Sequence, residues 1–261
     1  MTQNIRMDAG SPDGSPDSWG LRAPVLSQMI DHVCPDVLCV QEMLFHQQQA
    51  ILDGLGAGYT MIGYGRGGGS HDEYSAIFVN DRRFRIEEWD QFWLSDTPET
   101  IASATWGNIC TRIAVWARLT DLHGGDGVII ANTHTDNYAP EARLKAAPLI
   151  GNRLLSAAGG DPVVLCGDFN APAGRCAEFD AMTRPFALRD AWVVAERRDT
   201  PEYGTFVDYR EPVAGGDRID WILVSTGVVV DAMALQPFRV NGVWPSDHIP
   251  AIATIRATTS Q

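Results

Sequence analysis

The run Val163-Val164-Leu165-Cys166-Gly167-Asp168-Phe169-Asn170 ends four consecutive apolar residues in an aspartate and an asparagine. Aliphatic residues without polar alternation suit a strand buried on both faces, so the run predicts an interior strand whose polar tail emerges at a sheet end. Two other stretches repeat the pattern. Val37-Leu38-Cys39-Val40 leads into Gln41-Glu42, and Val128-Ile129-Ile130-Ala131 leads into Asn132-Thr133-His134. Further strands are expected at 74–79, 112–119, 218–224, 227–234 and 249–256. Leu21, Val25, Leu26, Met29, Ile30 and Val33 have helical spacing and predict a helix over 19–33. A second is expected over 140–157, opened by Pro140 and closed before Gly159-Gly160, and a third over 45–55. Many strands mixed with helices make an α/β fold, and the polar strand exits point to one shared edge. Asp8 to Asp17 reads as a loop by composition. Gly65 to Gly69 (GRGGG) lacks the strand, helix and lysine of a phosphate-cradling loop and reads as a mobile connection.

The chain has 261 residues, 45% hydrophobic and 20% charged, which suits a globular protein and excludes disorder. No linker or repeat divides it, so a single domain over 1–261 is expected. Twenty basic against 33 acidic residues give a net charge of -13. No general basic surface for a phosphate backbone is on offer. Lys145 is the one lysine, and the other basic residues are arginines suited to bidentate anion contacts. The five cysteines (Cys34, Cys39, Cys110, Cys166, Cys176) are odd in number and form no C-x-x-C pair, which argues against a disulfide framework or zinc site. Cys39 and Cys166, in apolar runs, are expected in the core. No apolar run of about 18 residues predicts a membrane span, and MTQNIRMDAG has no signal-peptide pattern. A reducing cytoplasm is the expected compartment.

Candidate chemistry sits in short polar elements: Asn4 in TQNIR, Gln41-Glu42, Asn132-Thr133-His134, Gly167-Asp168-Phe169-Asn170 and Ser246-Asp247-His248. Arg218-Ile219-Asp220 places a carboxylate inside an apolar run that continues through Trp221-Ile222-Leu223-Val224. Burying Asp220 there is costly unless it is paired, hydrogen-bonded or bound to metal. Taken singly, each element has a structural explanation. Glu42 caps a helix, Asp168 forms an Asx turn, His134 is a satisfied histidine, and Asp247-His248 is an exposed loop before Pro250. Their common place at strand ends favours a functional reading. Arg112, just before a strand, is read either as a phosphate contact or as half of a surface ion pair. The tryptophans are expected mostly between sheets, with Trp244, just before Pro245-Ser246-Asp247-His248, the first candidate for stacking on a substrate.

These motifs resemble the endonuclease/exonuclease/phosphatase superfamily of metal-dependent phosphoesterases. The resemblance runs through TQNIR (2–6), QE (41–42), DEYSAIF (72–78), QFWLSDTPE (91–99), TRIAVWA (111–117), NTHTD (132–136), GDFNAP (167–172), RIDWILVS (218–225) and PSDH (245–248), nearly the whole chain. The stretches around FWLSDTP and NTH look most like a bacterial branch of small hydrolases. The resemblance implies a four-layered α/β/β/α sandwich of two packed mixed sheets, with an active site at one end. It also implies magnesium, with manganese as the alternative, held by Glu42 and, directly or through water, by Asn4 and Asp247; hard oxygen ligands suit such ions. Asp168 would then orient or deprotonate the attacking water, Asn170 would donate to the phosphate, and His248, oriented by Asp220, would stabilise the transition state. His134 would lie on the phosphate or near the leaving group, with Glu73 orienting it as in some members. Asn137 departs from the pattern, since related sequences often carry a histidine there.

The resemblance implies hydrolysis of a phosphoester, and the acidity favours a small phosphorylated substrate over nucleic acid. A nuclease is the alternative, and a non-catalytic binding module on the same fold a second. Loops 8–18, 65–73, 97–110, 199–216 and 236–245 are expected to set specificity.

Overall fold

The apolar runs pair into two sheets. The computed structural model describes residues 1–125 and 127–257. In chain order its elements are β1 (Thr2–Asn4), α1 (Trp19–Val33), β2 (Val37–Gln41), α2 (Gln48–Leu55), β3 (Tyr59–Ile62), β4 (Ile77–Asn80), β5 (Phe84–Trp93), β6 (Ile113–Asp121), β7 (Gly127–His134), α3 (Pro140–Ala158), β8 (Val163–Asp168), α4 (Ala177–Thr183), β9 (Arg189–Asp190), α5 (Ala191–Val194), β10 (Arg197–Arg198), β11 (Asp220–Val224), β12 (Val228–Leu235) and β13 (Ala251–Ala257). One sheet has the order β10-β12-β13-β1-β2-β4-β3 and the other β5-β6-β7-β8-β11-β9. Both are mixed: β1 and β2 are parallel, as are β7 and β8, while most other neighbours are antiparallel.

Three apolar clusters show the four layers. Cys39, Ile77, Val115, Ile130, Val164, Cys166, Ile222 and Met233 fill the space between the sheets. Ala146, Ile150 and Leu154 of α3 pack with Leu165, Phe169 and Trp221 on the outside of one sheet. Leu26, Met29 and Ile30 of α1 pack with Leu38, Val40 and Phe78 on the outside of the other. This α/β/β/α sandwich is the expected architecture, and Cys39 and Cys166 are core residues as expected. Among the described residues, no helix is long and apolar enough to cross a membrane.

Several boundaries differ from the sequence reading. The strand expected over 74–79 begins at Ile77, and Tyr74 makes only an isolated bridge to Met43. The strand expected over 218–224 begins at Asp220. β3 and β5 were not anticipated; β5 is an edge strand whose Arg85, Glu87, Glu88 and Asp90 face solvent, so it carries no apolar run. The GRGGG stretch is a tight hydrogen-bonded turn rather than a mobile connection. Gly65 N–H donates to Gly69 O, Gly67 N–H to His71 O and Arg66 N–H to Glu73 O. The tryptophans divide between layers: Trp93, Trp192 and Trp244 lie between the sheets, whereas Trp116 and Trp221 lie under the outer helices.

The segment that decided the fold is braced on both sides. Gly167 has φ +151°, and a Cβ there would fall 2.0 Å from Thr133 O, so only glycine lets β8 approach β7 this closely. Next to it, Phe169 stacks on the fully buried Trp221 with ring centroids 4.1 Å apart, and Phe179 meets the same indole edge-on at 5.1 Å. The backbone carrying Asp168 and Asn170 is thereby fixed against both the neighbouring strand and the outer helical layer. A cavity of about 480 Å³ lies between the sheets towards the beginnings of β2, β7 and β8, away from these residues.

Candidate active site

Strand register brings the polar exits together. Asn4 is opposite Gln41 in the β1/β2 pair, His134 is opposite Asp168 in β7/β8, and Asp220 is opposite Asp168 in β8/β11. Glu42 follows directly on β2, while Asp247 and His248 lie in the turn that enters β13. Arg6, Glu42 and Asn170 all have left-handed backbone, at φ +58°, +61° and +49°. Such conformations are uncommon away from glycine, and here they turn the side chains of strand exits back over the sheet ends.

Asp168, only 1% exposed, is the hub. Its Oδ2 accepts from Asn4 Nδ2 at 3.0 Å and lies 3.6 Å from His134 Nε2 and 3.8 Å from His248 Nε2. Its Oδ1 accepts the N–H of Asn170 at 2.9 Å, an Asx turn built into the site rather than an alternative to it. Asn4 Nδ2 also donates to Glu42 Oε1 at 2.9 Å, while Asn4 Oδ1 accepts Arg6 N–H at 2.9 Å. That last bond fixes the amide orientation. Asn4 thus turns its NH₂ group, not its oxygen, to the carboxylates, which supports an orienting role over direct ligation.

His248 Nδ1 meets Asp220 Oδ2 at 2.9 Å, both residues buried. This is the partner the sequence demanded for a carboxylate inside β11. Burial disfavours the imidazolium, but the Asp220 charge and hydrogen bond outweigh it and His248 is pushed up to about 10. Burial, and then the charge of Asp220, push Asp168 up to about 7. Asp247 is also raised, first by burial. Glu42 is lowered: its burial is outweighed by the Asn4 hydrogen bond and the His248 charge. Four carboxylates in one half-enclosed site hold more negative charge than His248 and Arg6 offset, so the site suits a further cation. Ligand atoms of Glu42, His134 and Asp168 lie within 4.8 Å of one another, as do those of Asp168, Asp220 and His248. The carboxylate oxygens are the hard donors that a magnesium-like ion takes.

The other flank is built on arginines. Arg112 is 5% exposed, so it is not half of a surface ion pair. Its Nη2 donates to Asn137 Oδ1 at 3.0 Å, whereas Nε and Nη1 are buried without a partner. Glu73 pairs with Arg66 rather than with His134 as expected: both its oxygens accept from Arg66 at 2.9 Å, a bidentate pair that turns the carboxylate to the guanidinium. His134 is lowered by burial, and then by the charges of Arg112 and Arg66, and so stays neutral. Its Nε2 is 3.0 Å from Asn170 Nδ2, which also donates to Thr135 O at 3.0 Å. The ring therefore accepts at Nε2 and holds the Asn170 amide.

Asn132, singled out with His134, is an inter-sheet bracket: its Nδ2 donates to Val40 O and Ala76 O, and Gln41 Nε2 donates to its Oδ1 at 2.6 Å. Trp244 is corrected too. It is 6% exposed and packs between the sheets, leaving no face for a substrate, because the apolar ring gains more from the core than the rim offers. Three residues beside the site were missed. Arg6 faces Glu42 and Asp247, each at 3.7 Å; Arg66 arrives on the GRGGG turn; and Phe206, 52% exposed, meets the His248 ring edge-on at 5.2 Å. Phe206 lies in the 199–216 loop expected to set specificity, but nothing in its neighbours marked it.

Residues 1–248 match the profile of the Endonuclease/Exonuclease/phosphatase family. Among curated proteins no sequence matches. The fold is similar to an endonuclease/exonuclease/phosphatase from Bacteroides vulgatus, 32% identical over 98% of this chain and 97% of that one, with TM-score 0.90. It is also similar to the mannosyl-6-phosphatase Bt3783 of Bacteroides thetaiotaomicron VPI-5482, 29% identical over 98% of each chain, with TM-score 0.87. D. rerio TDP2 complexed with single strand DNA product shares the fold at 20% identity, TM-score 0.73, over 98% of this chain and 97% of that one. With the polar strand exits gathered in one site and the profile spanning almost the full length, the chain belongs to the endonuclease/exonuclease/phosphatase family.

Proposed function

We propose that the protein is a divalent-metal-dependent hydrolase of phosphate esters acting on a small phosphorylated molecule, with a sugar phosphate as first candidate. The observation that carries the reading is the line from Asp220 through His248 to Asp168, with Nδ1 at 2.9 Å on one carboxylate and Nε2 at 3.8 Å from the other. A buried imidazolium beside a carboxyl raised to about 7 pairs a stabilising cation with a base suited to neutral pH. The likeness to a mannosyl-6-phosphatase supports the sugar phosphate, and the net charge of -13 counts against a nucleic-acid backbone.

Glu42 and Asp247, with Asn4 orienting Glu42, would hold magnesium or manganese. When bound, the ion supplies positive charge for the phosphoryl oxygens and lowers the cost of ionising water. Asp168 takes the proton of the attacking water, and His248 faces a phosphoryl oxygen with its Nε2 proton. Asn170 gives both Nδ2 hydrogens to His134 and Thr135 O, so it braces the Asp168 turn beside the phosphate position rather than donating to the phosphate as the resemblance implies. Arg112, with two unpaired buried nitrogens, contributes a charge-assisted contact to a non-bridging oxygen.

The deciding experiment measures hydrolysis of sugar phosphates, a phosphodiester and a single-stranded oligonucleotide with magnesium, manganese or chelator. Phosphate release from sugar phosphates that stops in chelator is expected. Cleavage confined to the oligonucleotide would overturn the small-substrate reading, and turnover unaffected by chelator would overturn the metal dependence. Arg112→Gln is expected to raise KM by about tenfold with a smaller change in kcat, since a hydrogen bond to a charged group is worth about 1.5–3 kcal/mol. Steady-state kinetics on the preferred ester check this, and an unchanged KM removes Arg112 from the phosphate site.

A further inference from the structure

Arg6 faces two of the carboxylates read as holding the cation. Nη1 lies 3.7 Å from Glu42 Oε2 and Nε 3.7 Å from Asp247 Oδ2, while Nε is 3.2 Å from Asp17 Oδ1. The first two contacts are too long for hydrogen bonds but short enough for strong attraction in a half-buried site. The third is a hydrogen bond. Nε therefore donates to Asp17 and is only attracted to Asp247, and Nη1 is only attracted to Glu42. Asp17, at 22% against 12% for Asp247 and 16% for Glu42, is the most exposed and so the outer of the three partners, and about a third of the Arg6 side chain is still exposed (33%).

The surroundings hold it in that intermediate place. Arg6 has φ +58°, and the turn this makes folds the side chain back over the strand ends. Asp17, its outer partner, is anchored by Ser11 Oγ at 2.7 Å and Tyr209 Oη at 2.5 Å. Tyr209 belongs to the loop that carries Phe206, and Val207 N–H and Asp208 N–H in that loop both donate to Asp247 O. The outer anchor is thus rigid and tied to the same backbone that positions Asp247. A guanidinium cannot take the place of a hard, compact ion in the reaction, but it can offset the same two carboxylates and so weaken that ion's hold on them.

We propose that Arg6 is a resident counter-cation that competes with the divalent ion for Glu42 and Asp247, with Asp17 as the anchor that draws it away. The inference rests on the reading of Glu42 and Asp247 as the residues that hold the ion. It makes Arg6 a positioning residue that sets metal affinity, and not a contact to substrate.

The test is calorimetric titration of the full chain with Mn2+ alone, without substrate. Arg6→Gln is expected to bind Mn2+ at least about tenfold more tightly, because a full positive charge is removed from beside the ion. Arg6→Lys, which keeps the charge, is expected to stay close to wild type. Asp17→Asn removes the outer anchor, leaves the guanidinium to the inner carboxylates and is expected to bind Mn2+ more weakly. If Arg6 only braced the turn, Arg6→Gln would weaken binding; if it only touched substrate, Mn2+ affinity would not move. Either result overturns the inference, as does an Arg6→Lys variant that tightens as much as Arg6→Gln. A wild-type protein that takes up no Mn2+ would strike at the hydrolase reading itself, whereas an unchanged Kd in Arg6→Gln strikes only at this one.

Discussion

Asp168→Asn is expected to lower turnover by at least about a hundredfold, in the range for loss of a general base, while the protein remains folded. The replacement keeps shape and burial, removes the charge beside His134 and His248, and turns one accepting oxygen into an NH₂ group, so that either the Asn4 or the Asn170 hydrogen bond is lost. The stability change separates this role from a structural one. The folded-state pKa of Asp168, pushed up to about 7 by burial and by Asp220, lies above its ordinary value of 3.8. Its contribution to stability is therefore fully present below about pH 3.8 and is lost as pH rises through about 7. Above that, the ionised carboxylate strains the fold. In chelator, the melting temperature of Asp168→Asn relative to wild type is expected to be higher at pH 8 than at pH 5, because the ionised carboxylate burdens only the wild type. Thermal melts at the two pH values, beside single-substrate kinetics, check both halves. Turnover within tenfold of wild type would remove Asp168 from the role of base.

The second large effect belongs to Asp220→Asn, expected to cost about a hundredfold in kcat and to reshape the pH profile. His248 is buried, which alone would lower its pKa; the Asp220 carboxylate reverses this and holds it near about 10. Removing that charge leaves burial opposed by the weaker pull of Asp168, Asp247 and Glu42, so the imidazolium loses its proton at a lower pH. The alkaline limb of the kcat profile should move acidward by at least about one unit, since one unit corresponds to about 1.4 kcal/mol and the lost partner is a buried ion pair. A purely structural aspartate would lower kcat at every pH without moving the limb. A profile of unchanged shape, measured between pH 5.5 and 10 with metal held constant, would show that Asp220 does not act through His248.

Most of the interior strands were legible because burial on both faces leaves a local mark. Val37–Val40, Val128–Ala131 and Val163–Cys166 read as strands and are strands. β5 was not, since Glu87, Glu88 and Asp90 on an edge need no apolar neighbours, and β9 and β10, two residues each, are too short to leave a pattern. Asp220 was legible as a group in need of a partner because a carboxylate within Trp221-Ile222-Leu223-Val224 is costly alone. Arg66 was not, because a glycine-rich turn looks the same in sequence whether it swings freely or is pinned by backbone hydrogen bonds.

Read residue by residue, the amino-acid order marked an α/β class, the shared edge at which polar residues emerge and the side chains able to do chemistry there, while the four layers were implied by the family resemblance. The class, the edge and the side chains follow from which residues must leave water, and that is recorded at spacings of two and of three to four residues. The pairing of those side chains was settled by the folded chain. Glu73 took Arg66 instead of His134, Arg112 took Asn137 instead of a surface carboxylate, Trp244 turned into the core, and Arg6 came to stand between Asp17 and two site carboxylates. A charged group's partner depends on which loops the sheet register carries to within a few ångströms, a distance between segments far apart in the chain that no local spacing encodes.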